Sequence, residues 1–528
     1  MIAFAELLER LVFTPGRLGK VALLRRYFET TPDPDRGFTL AALTDELAFQ
    51  AAKPGLIRAL AEERTDPILF AWSHDFVGDL AETTALIWPE RPTNQPTPTI
   101  TQVVQDLIST PKSELPFLVQ GWLDSSSASV RYATLKLITG SLRVGASARL
   151  AKIALSELAH DRAQGRIAPD EIEEVWHGLT PPYTPLFAWL EGRGDRPDPQ
   201  GAPIFRPPML AQPLEAPDMA ALDPAAYRAE WKWDGIRVQL VATSRGRRIY
   251  SRGADDVSQA FPEITESMHF EAVLDGELLV VRDNEVAPFA DLQQRLNRKS
   301  PGPKMLRDYP LHVRLYDILF DGTEDLRPLS FDQRRARLEA WFTTHNPARM
   351  DLSDLIFFTT LEDLGVVRDG TRAASIEGLM LKRADGPYLP GRPKGQWWKW
   401  KRDPLTVDAV MMYAQRGSGK RSSFYSDYTF GLWREDGELV PIGKAYSGFT
   451  DAELVKLDRW VRNHTIGRFG PVREVERGLV LEIAFDAAQR STRHKSGVAL
   501  RFPRVARLRW DKPVAEADRL ETLMRWVE

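Results

Sequence analysis

The hydrophobic period of this chain changes near residue 200, and that change limits its fold more than any other feature. Up to about residue 190, apolar residues recur at helical spacing. FAELLERLVF, TLAALTDELAF and ITQVVQDLIS each place them three and four apart. VRYATLKLITGSLRVGASARLAKIALSELA reads as two helices broken by a glycine-containing turn at Gly140 to Gly145. The segment EGRGDRPDPQGAPIFRPP is dense in Pro, Gly and charge, which favours an extended linker. Beyond it EWKWDGIRVQLVA, RIYSRG, AVLDGELLVV, LHVRLYDILF and IEGLMLKR read as strands, with helices DLQQRLN and FDQRRARLEAWF between them. After WWKWKRDP the pattern changes again, to the strands DAVMMYAQ, DYTFGLWRE and GLVLEIAF and one helix, TDAELVKLDRWVRNH. That is the content of a small β-barrel. The expected fold class is multidomain α+β: an all-α region over 1–200, an α+β domain over 201–403 and a β-barrel over 404–528. A chain of 528 residues is long enough for three cores.

Composition narrows the class of function. With no cysteine the chain has no disulfide and no thiolate zinc site, which fits a reducing cytoplasm. No run of about 18 apolar residues is present, so no membrane span is expected. MIAFAELLERLVF lacks the basic n-region and small-residue cleavage site of a signal peptide. The net charge of −3 excludes a uniformly basic coat. Charge is nevertheless uneven: Arg490 to Lys512 holds eight Lys or Arg against one acid, and GRPKGQWWKWKR is also basic. Local basic stripes on a near-neutral chain suit a groove that grips phosphate.

The stretch EWKWDGIRVQL, Glu230 to Leu240, sets one lysine between two tryptophans. Side chains two apart share a strand face, so Glu230, Lys232 and Asp234 point one way and Trp231 and Trp233 the other. Gly235 ends the alternation and lets the backbone turn. The motif K-x-D-G-x-R here occurs by chance in roughly one chain of this length in a few hundred, with each position matching about one time in twenty. Further candidates follow in order. SRG presents Arg252, DGELLVV presents Glu277, LYDILFDG presents Tyr316 beside Asp317, and EGLMLKR presents Glu377 and Lys382. WWKWKR puts Lys399 and Lys401 on one face with Trp398 and Trp400 on the other, as packing residues. RFPRVARLRWDK presents Arg501, Arg504 and Asp511-Lys512.

This ordered series resembles the six nucleotidyltransferase motifs of ATP-dependent DNA ligases over residues 205 to 512, and PMLAQP resembles the start of their catalytic domain. The layout is similar to bacterial ligases built on the eukaryotic replicative plan. The resemblance implies an N-terminal DNA-binding domain, a nucleotidyltransferase (adenylation) domain and a C-terminal OB-fold. It implies Lys232 as the nucleophile that takes AMP from ATP, with nearby cations and partial burial lowering its pKa. Glu230 is expected to read the adenine amino group, Tyr316 to stack on adenine where replicative ligases carry phenylalanine, and Arg237 and Arg252 to hold ribose or phosphates. Glu277 is expected at the ribose or a metal, Glu377 at the metal, and Lys399 and Lys401 at the α-phosphate. Arg501, Arg504 and Lys512 are expected to close over ATP. Arg392, and Arg143 within SLRVG, are expected to meet DNA.

The cofactors implied are ATP and Mg²⁺, with Mn²⁺ able to substitute. The partner implied is nicked double-stranded DNA, encircled by a monomer, in replication, repair or recombination. NAD-dependent ligases share K-x-D-G but need a four-cysteine zinc site, which a cysteine-free chain cannot build. Capping enzymes are shorter and lack the helical region, and RNA ligases lack the final basic motif. A silent nucleic-acid scaffold is disfavoured because every expected catalytic side chain is present.

Overall fold

The computed structural model describes every residue except 48, 50, 91–94, 141, 143, 163–166, 199–200, 297, 299, 371–374, 417–423, 493 and 528, and the side chains of residues 160–162. Two compact units make up the chain, Met1–Lys401 and Arg402–Glu528. The helical region and the first strand-rich region both lie within the first unit.

Helical spacing becomes helix in the first region. In Ile100–Ser109, Ile100, Val103, Val104 and Leu107 form one buried face, and the Thr99 hydroxyl accepts the N–H of Gln102 at 3.1 Å. The helices Ala128–Thr139 and Ala148–Arg162 flank the expected turn, in which Gly140 and Gly145 have φ of 72° and 66°. TLAALTDELAF departs from its pattern, because its helix, Asp35–Leu43, stops early. Asp45 turns left-handed at φ 58°, and the Glu46 N–H reaches back to the Ala41 carbonyl at 2.9 Å. This satisfies an end carbonyl with a residue that tolerates positive φ. One apolar cluster runs through the whole region, from Met1 to Leu190.

The linker also differs from expectation at its end. Ile204 and Phe205 are buried, and the Phe205 ring lies against Tyr250. The Arg206 N–H donates to Gln239 Oε1 at 2.6 Å. An aromatic and an aliphatic residue within the Pro-rich segment are enough to bind it to the sheet beyond.

Two sheets follow. One has five strands in the order Gln212–Pro213, Trp397–Lys401, Ile376–Arg383, Tyr227–Trp233, Leu355–Ile356. The other runs Gly246–Ser251, Ile236–Thr243, Ala272–Arg282, Leu311–Asp321, Glu324–Asp325, with Glu285–Val286 and Met350–Leu352 added at its flanks. The outer face of the first sheet packs Ala229, Leu379, Leu381, Trp398 and Trp400 against the helix Leu361–Asp369. The outer face of the second packs Val238, Leu240, Leu274 and Val313 against helices that include Phe331–His345. Between the sheets lie Val241, Val273, Leu319, Tyr388 and Trp397.

The chain passes from one sheet to the other through Asp234 and Gly235 alone. A Cβ on Gly235 would stand 2.6 Å from the Leu278 carbonyl, so close approach of backbones is what requires glycine here. In the second unit the 12-residue strand Leu405–Arg416 pairs with Tyr425–Trp433, Val472–Val475 and Val480–Phe485, and the sheet wraps one core closed by the helix Asp451–Asn463. Thr450 and Glu453 cap that helix reciprocally.

Arg334 of the long helix is fully buried and holds both oxygens of Asp317, at 2.8 and 3.0 Å, together with the Leu329 carbonyl. Removing one member of such a pair strands the other charge in the interior. Arg334→Ala should therefore lower the stability of the first unit by about 3–5 kcal/mol in urea unfolding. A loss below about 1 kcal/mol would contradict the assignment.

Candidate active site

The site is assembled from three adjacent strands. Lys232 pairs in register with Gly378, and Gly378 pairs with Lys401. Gly378 has φ 144°, and a Cβ there would collide with the backbone of Trp400. Glycine therefore lets the next strand approach closely enough to bring Lys401 abreast of Lys232. The register slips between Ile376 and Gly378, and Glu377 sits in this bulge. Bulges redirect side chains, and this one turns the Glu377 carboxylate toward the lysines. Glu377 Oε2 accepts a hydrogen bond from Lys232 Nζ and lies 3.1 Å from Lys401 Nζ. Burial works against the charge of Glu377, but Lys232 and then Lys401 hold its carboxyl below the usual range.

One register step along, Glu230 pairs with Met380, and Met380 with Lys399. Lys399 has its pKa lowered, first by desolvation and then by the charges of Lys401, Arg392, Lys232 and Arg252. Five cations therefore converge on one field, the electrostatic requirement for holding a polyphosphate. Arg252 and Arg392 are exposed on loops, and Arg392 follows Gly391, which bridges to Met209.

Glu230 is 2% exposed. Its Oε2 accepts from Lys382 Nζ at 3.0 Å, and its Oε1, also buried, has no partner among the described residues. Lys382 is 1% exposed, with Nζ over the rings of Tyr316, Trp397 and Phe331 at 4.5, 4.7 and 5.0 Å. Burial pushes the Glu230 carboxyl up and the Lys382 ammonium down, and each opposes the shift of the other.

The facing sheet contributes Glu277, paired in register with Arg237 and Arg314. Desolvation raises the Glu277 carboxyl to about 8 against the pull of Lys232 and Arg237, with Glu377 and Asp234 adding to the rise. Arg237 donates to the Met209 carbonyl at 2.6 Å, to Asp275 Oδ2 at 2.6 Å and to the Tyr388 hydroxyl at 3.0 Å. It clamps chain to chain between the sheets, so most of its hydrogen-bonding capacity is already committed. Tyr316 stands half-buried beside it, and desolvation raises its phenol. Trp231 joins the outer apolar cluster as its alternation requires. Trp233 instead meets the Arg314 guanidinium at 4.2 Å, because the strand ends there and the chain crosses to the other sheet.

Arg501, Arg504 and Lys512 belong to the second unit. Lys512 Nζ and Arg509 donate to the same Asp408 Oδ2 at 2.7 and 3.0 Å, and Arg504 pairs with Asp486 at 3.1 Å. Arg143 lies outside the described residues. Four contributors were not singled out from sequence: Asp275, Tyr388, Arg509 and Asp408. Asp275 alone had a local signal, standing two residues before Glu277 on one strand face. Among the described residues no group of three or more His, Asp or Glu is placed to hold a metal. Glu377 pairs with Lys232 and Lys401, and the Glu277 carboxyl feels the charge of Lys232 from the facing sheet.

Residues 208–401 match the family model described as the ATP dependent DNA ligase domain, and residues 421–512 that of the ATP dependent DNA ligase C terminal region. A probable DNA ligase of Koribacter versatilis (strain Ellin345) is 30% identical over 99% of this chain and 95% of its own. The DNA ligase of Thermococcus onnurineus (strain NA1) is 30% identical over 85% of this chain and 82% of its own. The solved structure titled Pmar-Lig_PreS3 shares the fold, with a TM-score of 0.58 at 16% identity over 96% of this chain and 99% of that one. Domain models and near full-length relatives agree with the converged lysines: the chain belongs to the ATP-dependent DNA ligases, which are nucleotidyltransferases.

Proposed function

We propose that this chain seals nicks between a 5′-phosphate and a 3′-hydroxyl in duplex DNA through a lysyl-AMP on Lys232. The observation that carries the reading is Lys232 set within a field of cations and two carboxylates. Lys232 Nζ loses a proton and attacks the α-phosphorus of ATP, forming a P–N bond as the bond to pyrophosphate breaks. An oxygen of the DNA 5′-phosphate then attacks the same phosphorus and frees Lys232. Last, the 3′-hydroxyl attacks the 5′-phosphorus, closing the strand and releasing AMP. Such transfers need positioning and charge neutralisation more than protein acid–base work.

Each step leans on a named side chain. Lys399 and Lys401 neutralise the α-phosphate, and Arg252 and Arg392 extend the field toward ribose, phosphates and the DNA end. The unpartnered Glu230 Oε1 is an acceptor waiting for the 6-amino group of adenine, and Tyr316 offers a ring to stack on it. Arg237 acts chiefly by holding the sheets that carry Glu277 and Tyr316. Glu377 must leave Lys232 before the amine can attack. Mg²⁺ takes one or two carboxylates and completes its shell with phosphate and water, which fits Glu377 with Glu277. When bound it would neutralise phosphate charge. Arg501, Arg504 and Lys512 would close over ATP from the second unit. A helical DNA-binding domain, an adenylation domain and an OB domain would together encircle the nick as a monomer, in replication, repair or recombination.

Three outcomes test this reading. Incubated with α-labelled ATP and magnesium but no DNA, the wild type should gain the mass of one AMP and Lys232→Ala should retain no label. Label on the mutant would overturn the nucleophile, and an adenylated wild type that never seals a nicked duplex would leave only a scaffold. Lys399→Ala should lower kcat/KM for adenylation by about 10- to 100-fold, the value of a lost charge-assisted contact. The third outcome concerns Glu277 in metal-free protein. Its carboxyl is raised from 4.5 to about 8, so the folded chain holds an extra proton between those values. Wild-type stability therefore falls as pH rises through that window. Against it, Glu277→Gln should gain melting temperature from pH 4.5 to about 8 and then hold level, and a constant difference would refute the shift.

A further inference from the structure

Lys382 is not among the cations that act on Lys399, yet it is among the most enclosed cations of the first unit. Its Nζ has the rings of Tyr316, Trp397 and Phe331 within 5.0 Å and one anionic partner, Glu230 Oε2 at 3.0 Å. It also donates to the Tyr316 carbonyl at 3.3 Å. The rings come from three separate elements, so the ammonium cannot move without disturbing both sheets. Glu230 in turn cannot rotate without losing Lys382. The pair leaves Oε1 of Glu230 buried and unpartnered.

We infer that Lys382 is a positioning residue for base selection: it keeps Glu230 an ionised carboxylate with one oxygen tied down and the other free to accept from a 6-amino purine. This rests on the reading of Glu230 as the adenine contact and adds what gives that contact its polarity. An ionised carboxylate only accepts hydrogen bonds, whereas a protonated one also donates. Adenine presents an amino donor at position 6, and hypoxanthine presents a carbonyl acceptor. Ionised Glu230 therefore welcomes the first and repels the second, and protonated Glu230 could serve either.

The surroundings make Lys382 the deciding charge. Besides Lys382, the charges that act most on Glu230 among the described residues are Arg335 and Asp317. Arg335 is committed to Glu339 and to the Ser353 carbonyl. Asp317 is held on both oxygens by Arg334. With Lys382 neutral, burial would leave the Glu230 carboxyl protonated.

The test compares ATP with inosine triphosphate, which differs at position 6, in forming the covalent lysyl adduct on the full chain. Wild type should prefer ATP by about 10- to 100-fold in kcat/KM, the worth of one hydrogen bond to a charged group against its mismatch. Lys382→Met keeps the packing volume and should cut that preference by about tenfold, mainly through a raised KM for ATP. The preference should return as pH is raised and Glu230 ionises, whereas the wild-type ratio stays flat. Lys382→Arg, which keeps the charge, should hold the wild-type ratio. An unchanged ratio in Lys382→Met, or a lost one in Lys382→Arg, overturns the inference. Should Lys382→Met not fold, Glu230→Gln carries the test. Its amide both donates and accepts, so the ratio must fall toward one, and an unchanged ratio is fatal. Wild type that forms no adduct with either nucleotide would defeat the parent reading instead.

Discussion

Two lysines of adjacent-but-one strands stand side by side because the glycine between them lets the strands approach closely, and one carboxylate oxygen answers to both. Like charges at that range repel, and the contact is tolerable only because the Glu377 bulge delivers a counter-charge into the gap. Everything else in the site is arranged around this congestion. Lys399, already desolvated, has its pKa lowered further by its cationic neighbours, burial raises the Glu277 carboxyl on the facing sheet to about 8 against the pull of Lys232, and the flanking arginines stay on exposed loops. A triply charged ligand would relieve the cluster rather than burden it, which is how a resting protein stores affinity for phosphate.

A second polar set lies deeper, between the sheets, and has the opposite character. Arg237, Asp275 and Tyr388 satisfy one another, with the Met209 carbonyl completing the ring of contacts. Such a closed network fixes the spacing of the sheets, because no member can be removed without leaving another unpaired. The surface field is thus left hungry for ligand while the interior one is saturated. That division sets an unsaturated charged site on a rigid frame.

What could be read from sequence followed the range of the interactions. Glu230 and Lys232 share a face, as do Lys399 and Lys401, because alternation within a strand is local and survives in any sheet. Trp398 and Trp400 fall in the apolar cluster for the same reason. Glu377 could not be oriented by that rule. Counting back from buried Leu379 sends its side chain outward, and only a bulge, which depends on the partner strands, brings it in. The cage around Lys382 draws on residues 316, 331 and 397, and Asp408 meets Arg509 and Lys512 across about a hundred positions of chain, so neither leaves a pattern in any short window. The linker was legible as a breaker but not as a packed edge, since two apolar residues in a Pro-rich run decide that.

The passage through Asp234 and Gly235 has a mechanical meaning. A strand that must change layers within two residues leaves no slack, so the amine at its tip is riveted to both layers at once. Any ligand that wedges the layers apart by a fraction of an ångström would drag the amine with it, and the same rivet would return it when the ligand departs. The position of that amine is thereby geared to the gap between two plates, not to the freedom of a loop.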